Sequence, residues 1–332
     1  MIRPMIDPAR TGTGRIARLL GACAIAAGSL SAQQVPDRDF RPAVPRPAYE
    51  TANGPRLCLD EAHHNFHTLA DRFWAFGELA RRDGFRVGPL KTLFSARALG
   101  ACDLLVISNA QWSGADWSTY PTPTPSAFTD DEIAAVLAWV EGGGRLLLIA
   151  DHMPLAGAAS KLASAFGAAF IDGFAYKAAP AGATEAAITA ARATPTLFVP
   201  GDGTLAPHPI ARGRDSTERV TQVRSFTGQP FRVDDSTAES VLVLPPDFIV
   251  LEPRYAWQFD ATTKQRAVGG WLQGATRRIG SGRVAFFGEA AMFSAQVTGR
   301  DRRPMGMNAP LAEQNAQFAL NTLHWLTGLL EP

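Results

Sequence analysis

The chain has 332 residues, 46% hydrophobic and 19% charged, which is enough apolar material for a substantial core. Its 32 Lys plus Arg against 31 Asp plus Glu leave a net charge of +1, with no basic stripe. That balance excludes the electrostatic footprint of a nucleic-acid binder.

Arg3, Arg10, Arg15 and Arg18 precede an apolar stretch from Leu19 to Leu30, and small residues follow at Ser29, Ser31 and Ala32. This is the pattern of a secretory signal peptide over residues 1–32, with cleavage near Ala32 and a mature start near Gln33. Leu20-Gly21-Ala22-Cys23 faintly resembles a lipoprotein box, but most of the apolar run follows Cys23, so lipidation ranks second. No later run approaches the ~20 apolar residues of a membrane span. The mature chain is therefore expected in the periplasm or outside the cell. It keeps Cys58 and Cys102, each at the start of a predicted strand. A disulfide between those strands is open in an oxidising compartment, but two inert buried thiols are the preferred reading.

Residues 33–55 hold Pro36, Pro42, Pro45, Pro47 and Pro55 with little periodicity and read as an extended linker. The fold is expected to begin near Arg56 with the short strand Leu57-Cys58-Leu59. Phe66, Leu69, Ala70, Phe73, Phe76 and Ala80 recur at helical spacing, which predicts a helix from Asn65 to Arg82 ended by Asp83-Gly84. Phe85 to Val87 and Asp103 to Ser108 follow as strands, the second apolar throughout and so covered on both faces. Thr129 and Glu132 form a capping box for a helix whose apolar face is Ile133, Val136, Leu137 and Val140. Gly142 to Gly144 stop it. Arg145 to Ala150 is a further buried strand, and Leu155 to Phe166 a further helix.

Residues 173–270 lose this alternation and read as a β-rich insertion, with strand-like pieces at Val220 to Phe226, Ser240 to Leu244 and Phe248 to Leu251. Order returns with the strand Val284 to Glu289 and a terminal helix carrying Ala316, Ala319, Leu320, Leu323 and Leu326; Asn308 reads as its cap. Alternating strands and helices predict an α/β fold with a doubly wound, mostly parallel sheet and helices on both faces. The main domain is expected over 56–330.

Four of the six histidines fall in two clusters, Asp60-Glu61-Ala62-His63-His64-Asn65-Phe66-His67 and Asp151-His152, each just after a predicted buried strand. Ligands of open parallel sheets bind beyond the carboxyl ends of the strands, and imidazole and carboxylate supply acid/base or metal-ligand chemistry there. His63, Asp151, His152 and Glu289 are the candidate catalytic residues. Asp60, His63, His64, His67, Asn109, Gln111, Trp112, Asp151, His152 and Glu289 are the candidate ligand-binding residues. If helical, His63 and His67 share a face, so with Asp151 and His152 they are the candidate ligands of a divalent metal, the one cofactor considered. Each feature also has a plainer reading. His64 or Asn65 caps a helix, Asp151 caps ahead of Pro154, and the aromatics Trp112, Trp117 and Tyr120 pack on their own loop. No Gly-x-Ser-x-Gly elbow, Rossmann fingerprint or P-loop is present.

Leu57 to His63, Arg145 to His152, Gly282 to Glu289 and Asn315 to Leu326 together resemble the class I glutamine amidotransferase-like superfamily. The resemblance is to an uncharacterised extracytoplasmic branch, similar to gliding-motility ABC-transporter-associated and trehalose-utilisation-like domains. It covers residues 56–172 and 265–328 and implies a flavodoxin-like sandwich. Amidotransferases carry a nucleophilic cysteine in the sharp turn after a central strand; the matching turn here is Ala150-Asp151-His152-Met153. The resemblance therefore implies a catalytically divergent domain without glutamine amidotransferase activity. The expected role is binding of a polar small molecule such as a carbohydrate. A metal-assisted or acid/base hydrolase using the His/Asp cluster is the alternative, and a non-catalytic interaction module of an envelope complex the third.

Overall fold

A computed structural model describes residues 34–233 and 236–331; the signal-peptide expectation lies outside these. The elements that place the site are β1 (Arg56–Asp60), α1 (Trp74–Arg82), β2 (Arg86–Leu90), β3 (Leu104–Ser108), α2 (Asp130–Glu141), β4 (Arg145–Ile149), α3 (Leu155–Ala165), β5 (Gly282–Phe287) and α4 (Asn315–Leu326). The five strands are parallel and lie side by side in the order β2-β1-β3-β4-β5. Every residue of β3 is buried, as a strand roofed on both faces must be. On one face Leu59, Val106, Ile149 and Phe287 pack under α1 and α4, and on the other Leu105, Leu148 and Phe286 pack under α2 and α3.

The middle of the chain widens the sheet. Leu272–Ile279 pairs antiparallel with β5, and Phe231–Val233, Ala238–Val243 and Ala168–Phe170 continue from it. Phe174–Lys177, Phe248–Glu252 and Lys264–Ala267 form a separate three-stranded sheet. The segment also contributes the helix Glu185–Ala193, none of whose residues is buried. Among the described residues no helix is long and apolar enough to cross a membrane.

Several expectations change. The helix predicted from Asn65 begins at Trp74, after a run of turns. Tertiary partners take the early backbone donors: Phe66 N–H donates to the Asn109 carbonyl and Leu69 N–H to the Glu61 carboxylate. Periodicity in this stretch reports burial rather than helix. Cys58 and Cys102 are joined in a disulfide with Cα atoms 5.8 Å apart, not free thiols. The pairing of Leu57 with Leu104 brings the two strands into adjacent register and so places the sulfurs within reach. Asn308 does not cap α4, which begins seven residues later; its amide donates to Asp37 and to the Gln296 carbonyl.

The proline-rich segment is packed along the fold. Val35 pairs with Val297, Arg38 and Arg41 cover the Trp74 ring, Ala48 N–H donates to Asp83, and Tyr49 meets Phe85 edge-on at 5.2 Å. Proline keeps it extended while these contacts hold it as a strap.

Candidate functional site

The carboxyl ends of β1, β3, β4 and β5 deliver Asp60, Ser108-Asn109, Asp151 and Glu289 to one edge of the sheet. The pleat then divides their neighbourhoods between the two faces. His63 lies between Phe94 and Phe128, both of which belong to the core beneath α2 and α3. Its Nδ1 is 2.8 Å from Asp60 Oδ1 and its Nε2 2.9 Å from Glu132 Oε1. Carboxylates only accept, so both ring nitrogens donate and the ring is held as imidazolium. Burial opposes that charge, but the bonds and charges of Asp60 and Glu132 outweigh it and raise the His63 pKa. Asn65 and Ala62 N–H fill the remaining Asp60 positions. The triad is thus a closed strut between β1 and α2, with neither ring nitrogen left for substrate.

His67 goes to the other face. It stacks on Phe73 at 4.5 Å, bonds the Ser108 hydroxyl at 2.8 Å, and burial holds its pKa down to about 3. With residues 63 and 67 outside any helix and on opposite faces, the two rings do not form the chelating pair that helical spacing predicts. Among the described residues no group of three or more His, Cys, Asp or Glu is arranged to hold a metal ion. His64 is exposed, and its carbonyl accepts from the Gln111 amide.

Asn109 links β3 to β4. It takes a left-handed backbone, φ +51°, and its Oδ1 accepts from Asp151 N–H at 2.9 Å. Asp151 in turn accepts from His152 N–H at 2.9 Å. The His152 ring is fixed by Nδ1, which donates to the Met153 carbonyl at 2.7 Å, so in the neutral ring the lone pair sits on Nε2. Among the described residues none bonds that nitrogen. The ring stacks on Phe174 at 4.6 Å and meets Trp257 edge-on at 4.5 Å and Trp117 at 6.1 Å. Gln111 holds the Trp117 indole N–H, and Trp257, half exposed with φ +66°, stands over the ring. A bulky residue in that backbone region is a strained conformation that surrounding structure must hold. Trp112 is exposed and meets Tyr120 edge-on, so this loop packs partly on itself.

Glu289 is buried, and its two oxygens accept from Ala291 and Met292 N–H at 2.6 and 2.9 Å. Burial, and then the negative charge of Asp151, raise its pKa well above the ordinary carboxylate value, with those two bonds only partly opposing. Residues 223–229 of the insertion close over the same strand ends: Gln229 N–H donates to the Gly288 carbonyl at 2.7 Å, and a Cβ on Gly228 would lie 2.2 Å from that oxygen.

His63, His152 and Glu289 therefore have three separate sets of partners, while Asn109, Asp151, His152 and Glu289 form one continuous edge. Phe174 and Trp257 join this edge unforeseen, through the His152 ring, and Glu132 joins the separate His63 strut. Only Glu132 carried a sequence signal, the capping box, which it satisfies with Oε2 while Oε1 serves His63. A separate cleft of about 340 Å³ between Tyr49, Arg86, Asp103, Arg145 and Thr327 lies at the opposite, amino-terminal edge, away from the strand ends where parallel sheets bind ligands.

No family model and no curated protein sequence matches the chain. Among solved structures it is similar to the mmIFT52 N-terminal domain, with TM-score 0.55 and 12% identity over 82% of this chain and 97% of that one. It is also similar to a ThuA-like protein from Bacteroides uniformis, TM-score 0.47, 12% identity, 85% and 96% covered. A third is a GMP synthase component from Thermoplasma acidophilum, TM-score 0.42, 9% identity, 83% and 96% covered. At these identities the first likeness is one of fold: a mixed α/β domain around a mostly parallel sheet.

Proposed function

We propose that this is an exported, amidotransferase-like domain that has lost the amidotransferase reaction and binds a polar small molecule, a carbohydrate, at the Asp151-His152 edge. The observation that carries the reading is the half-exposed Trp257 held at φ +66° over the His152 ring, which Trp117 also meets and whose main-chain N–H donates to Asp151. An aromatic face beside fixed hydrogen-bonding groups suits a sugar ring, whose apolar C–H face stacks while its hydroxyls pair. The strand order β2-β1-β3-β4-β5 is the flavodoxin-like one and supports the architecture that the resemblance implies. The disulfide supports export, since such bonds persist in oxidising compartments.

Calorimetric titration of the mature protein with a panel of neutral and acidic mono- and oligosaccharides tests this. At least one should bind, and Trp257→Ala should abolish binding without lowering Tm. A panel with no binder, or a Trp257→Ala protein that binds as the parent does, sinks the reading.

One observation favours a hydrolase as the second reading. His152 Nδ1 donates to the Met153 carbonyl, which leaves the lone pair of the neutral ring on Nε2, with no bond to it among the described residues, as a general base requires. Hydrolysis of a bound glycoside that ceases in His152→Ala would establish it. An interaction module has less support, because Trp257 is the one exposed large apolar side chain of the insertion among the described residues.

A further inference from the structure

The cleft of about 340 Å³ at the amino-terminal edge of the sheet is built around charge. The starts of β2, β1, β3 and β4 lie side by side and carry Arg86, Arg56, Asp103 and Arg145, with Arg56 paired to Arg86 and Leu104 to Arg145. Arg86, Asp103 and Arg145 line the cleft together with Tyr49, Asn53 and Gly54 of the strap. Asp103 is the one acid in that lining, and Arg56 occupies it. Arg56 Nη2 donates to Oδ1 at 3.0 Å, and its Nε and main-chain N–H donate to Oδ2 at 3.1 and 2.8 Å.

Arg86 leans across β1 towards the same carboxylate, but its Nη2 stops 3.8 Å from Oδ2, beyond hydrogen-bond reach. Its Nε donates to the Gly54 carbonyl at 2.8 Å, which leaves both Nη groups unbonded among the described residues, on a side chain 50% open to solvent. Among the described residues no hydrogen bond or ion pair engages the half-buried Arg145 side chain. Arg56 therefore cancels Asp103, and the cleft keeps two positive charges. Strands stand about 4.8 Å apart, so Arg145 starts one strand away from Asp103, where the Arg86 head lies.

The walls are held by the protein itself. Gly54 N–H donates to the Gly84 carbonyl at 2.9 Å, and a Cβ on Gly54 would lie 2.7 Å from the Tyr49 ring. Tyr49 in turn donates its hydroxyl proton to Thr327 Oγ1 at 3.1 Å. The carboxyl end of α4 also reaches this edge, but the carbonyls of Leu323, His324 and Trp325 already accept from Thr327, Leu329 and Gly328 N–H, and Trp325 from Arg283 as well. They present no open acceptors to an anion.

We propose that this cleft is a second binding site, for a dianionic phosphate group, with Arg86 and Arg145 as its anchors. Guanidinium forks with unused donors recognise such oxyanions in two-point geometry. Two charges match the phosphate dianion better than the single charge of a carboxylate. The volume of about 340 Å³ exceeds the roughly 300 Å³ at which small-molecule pockets begin, which leaves room beside Tyr49 for the organic part of a monoester. The carbohydrate reading concerns the other edge of the sheet and does not enter.

Calorimetric titration of the mature protein with glycerol 3-phosphate, phenyl phosphate, inorganic phosphate and benzoate tests the proposal, on the parent and on Arg145→Gln, Arg86→Gln and the double variant. Arg145→Gln removes a charge that no protein group uses, so it keeps the fold, as an unchanged Tm verifies. Phenyl phosphate should bind at one site about tenfold or more tighter than benzoate, lose about tenfold in either single variant, and weaken as salt is raised. The double variant should not bind it measurably. Inorganic phosphate binding as tightly as the esters supports the site and makes the free ion its ligand, whereas tighter esters support it and assign it to a monoester. Benzoate binding equal to phenyl phosphate, binding unchanged in Arg145→Gln, or no binding by any of the three phosphates overturns the proposal.

Discussion

His63 and His67 stand four residues apart on opposite faces of one sheet and titrate in opposite directions. His63, between Asp60 and Glu132, has its pKa raised, whereas His67, buried against Phe73, is held down to about 3. For His63 the stabilisation is fully present below the ordinary histidine value of 6.5 and is lost as pH rises through the higher folded value. For His67 the unfolded chain binds the extra proton, so stability falls as pH drops from 6.5 towards 3, by about 1.4 kcal/mol per pH unit. Urea unfolding from pH 4 to 9 should show His67→Phe flattening the acid side and His63→Gln lowering stability most at or below pH 6. His63→Gln also leaves two buried carboxylates without their cation, at a cost of about 3 kcal/mol or more. Parallel pH profiles for the two variants would refute the assignment.

Glu289 gives a third pH signature. An acid whose folded pKa is raised contributes nothing below its unfolded value of 4.5, and above that the unfolded chain ionises first, so stability declines as pH rises. Near pH 4 the parent should exceed Glu289→Gln by about 1 kcal/mol, because glutamine has one acceptor where the acid meets two backbone N–H groups. The gap should shrink towards pH 8. A gap that stays constant across the range would contradict a raised Glu289 pKa.

The Cys58–Cys102 bond closes a loop with sequence separation 44. Chain-entropy reasoning puts its contribution at roughly 2–4 kcal/mol, acting on the unfolded state. Reduction with dithiothreitol should lower Tm by several degrees, and Cys58→Ala/Cys102→Ala should melt at the same reduced temperature with or without reductant. If the parent's Tm does not respond to reductant, the bond is absent from the protein in solution.

Asn109 separates backbone from side chain. Asn109→Gly keeps the φ of +51° without strain but deletes the acceptor for Asp151 N–H, for a loss of about 1 kcal/mol. Asn109→Ala adds the left-handed penalty of about 1 kcal/mol more. Equal stabilities for the two variants would show that the turn relaxes.

The parallel strands are legible in the sequence because burial on both faces leaves runs such as Leu104 to Ile107 with no polar residue, and the capping box at Thr129-Glu132 forms as its spacing demands. The start of the first helix is not legible, because Glu61 and Asn109, remote from the pattern of apolar residues, take its early donors. The edge itself is half visible. Asp151, His152, Asn109 and Glu289 announce themselves by following strands. Trp257 and Phe174 come from the irregular middle, where no period marks which side chain returns to the sheet.

Gly228 and Gly288 meet so closely that a Cβ on either would fall 2.2 Å from a backbone oxygen of the other strand segment, Gly288 O or Gln229 O. The insertion is therefore welded to the ends of the central strands rather than hung from them. Replacing residues 173–270 with a short loop would remove both rings that pack on His152, Phe174 and Trp257, so the parallel sheet and its apparent decoration can be exchanged between proteins only as a single part.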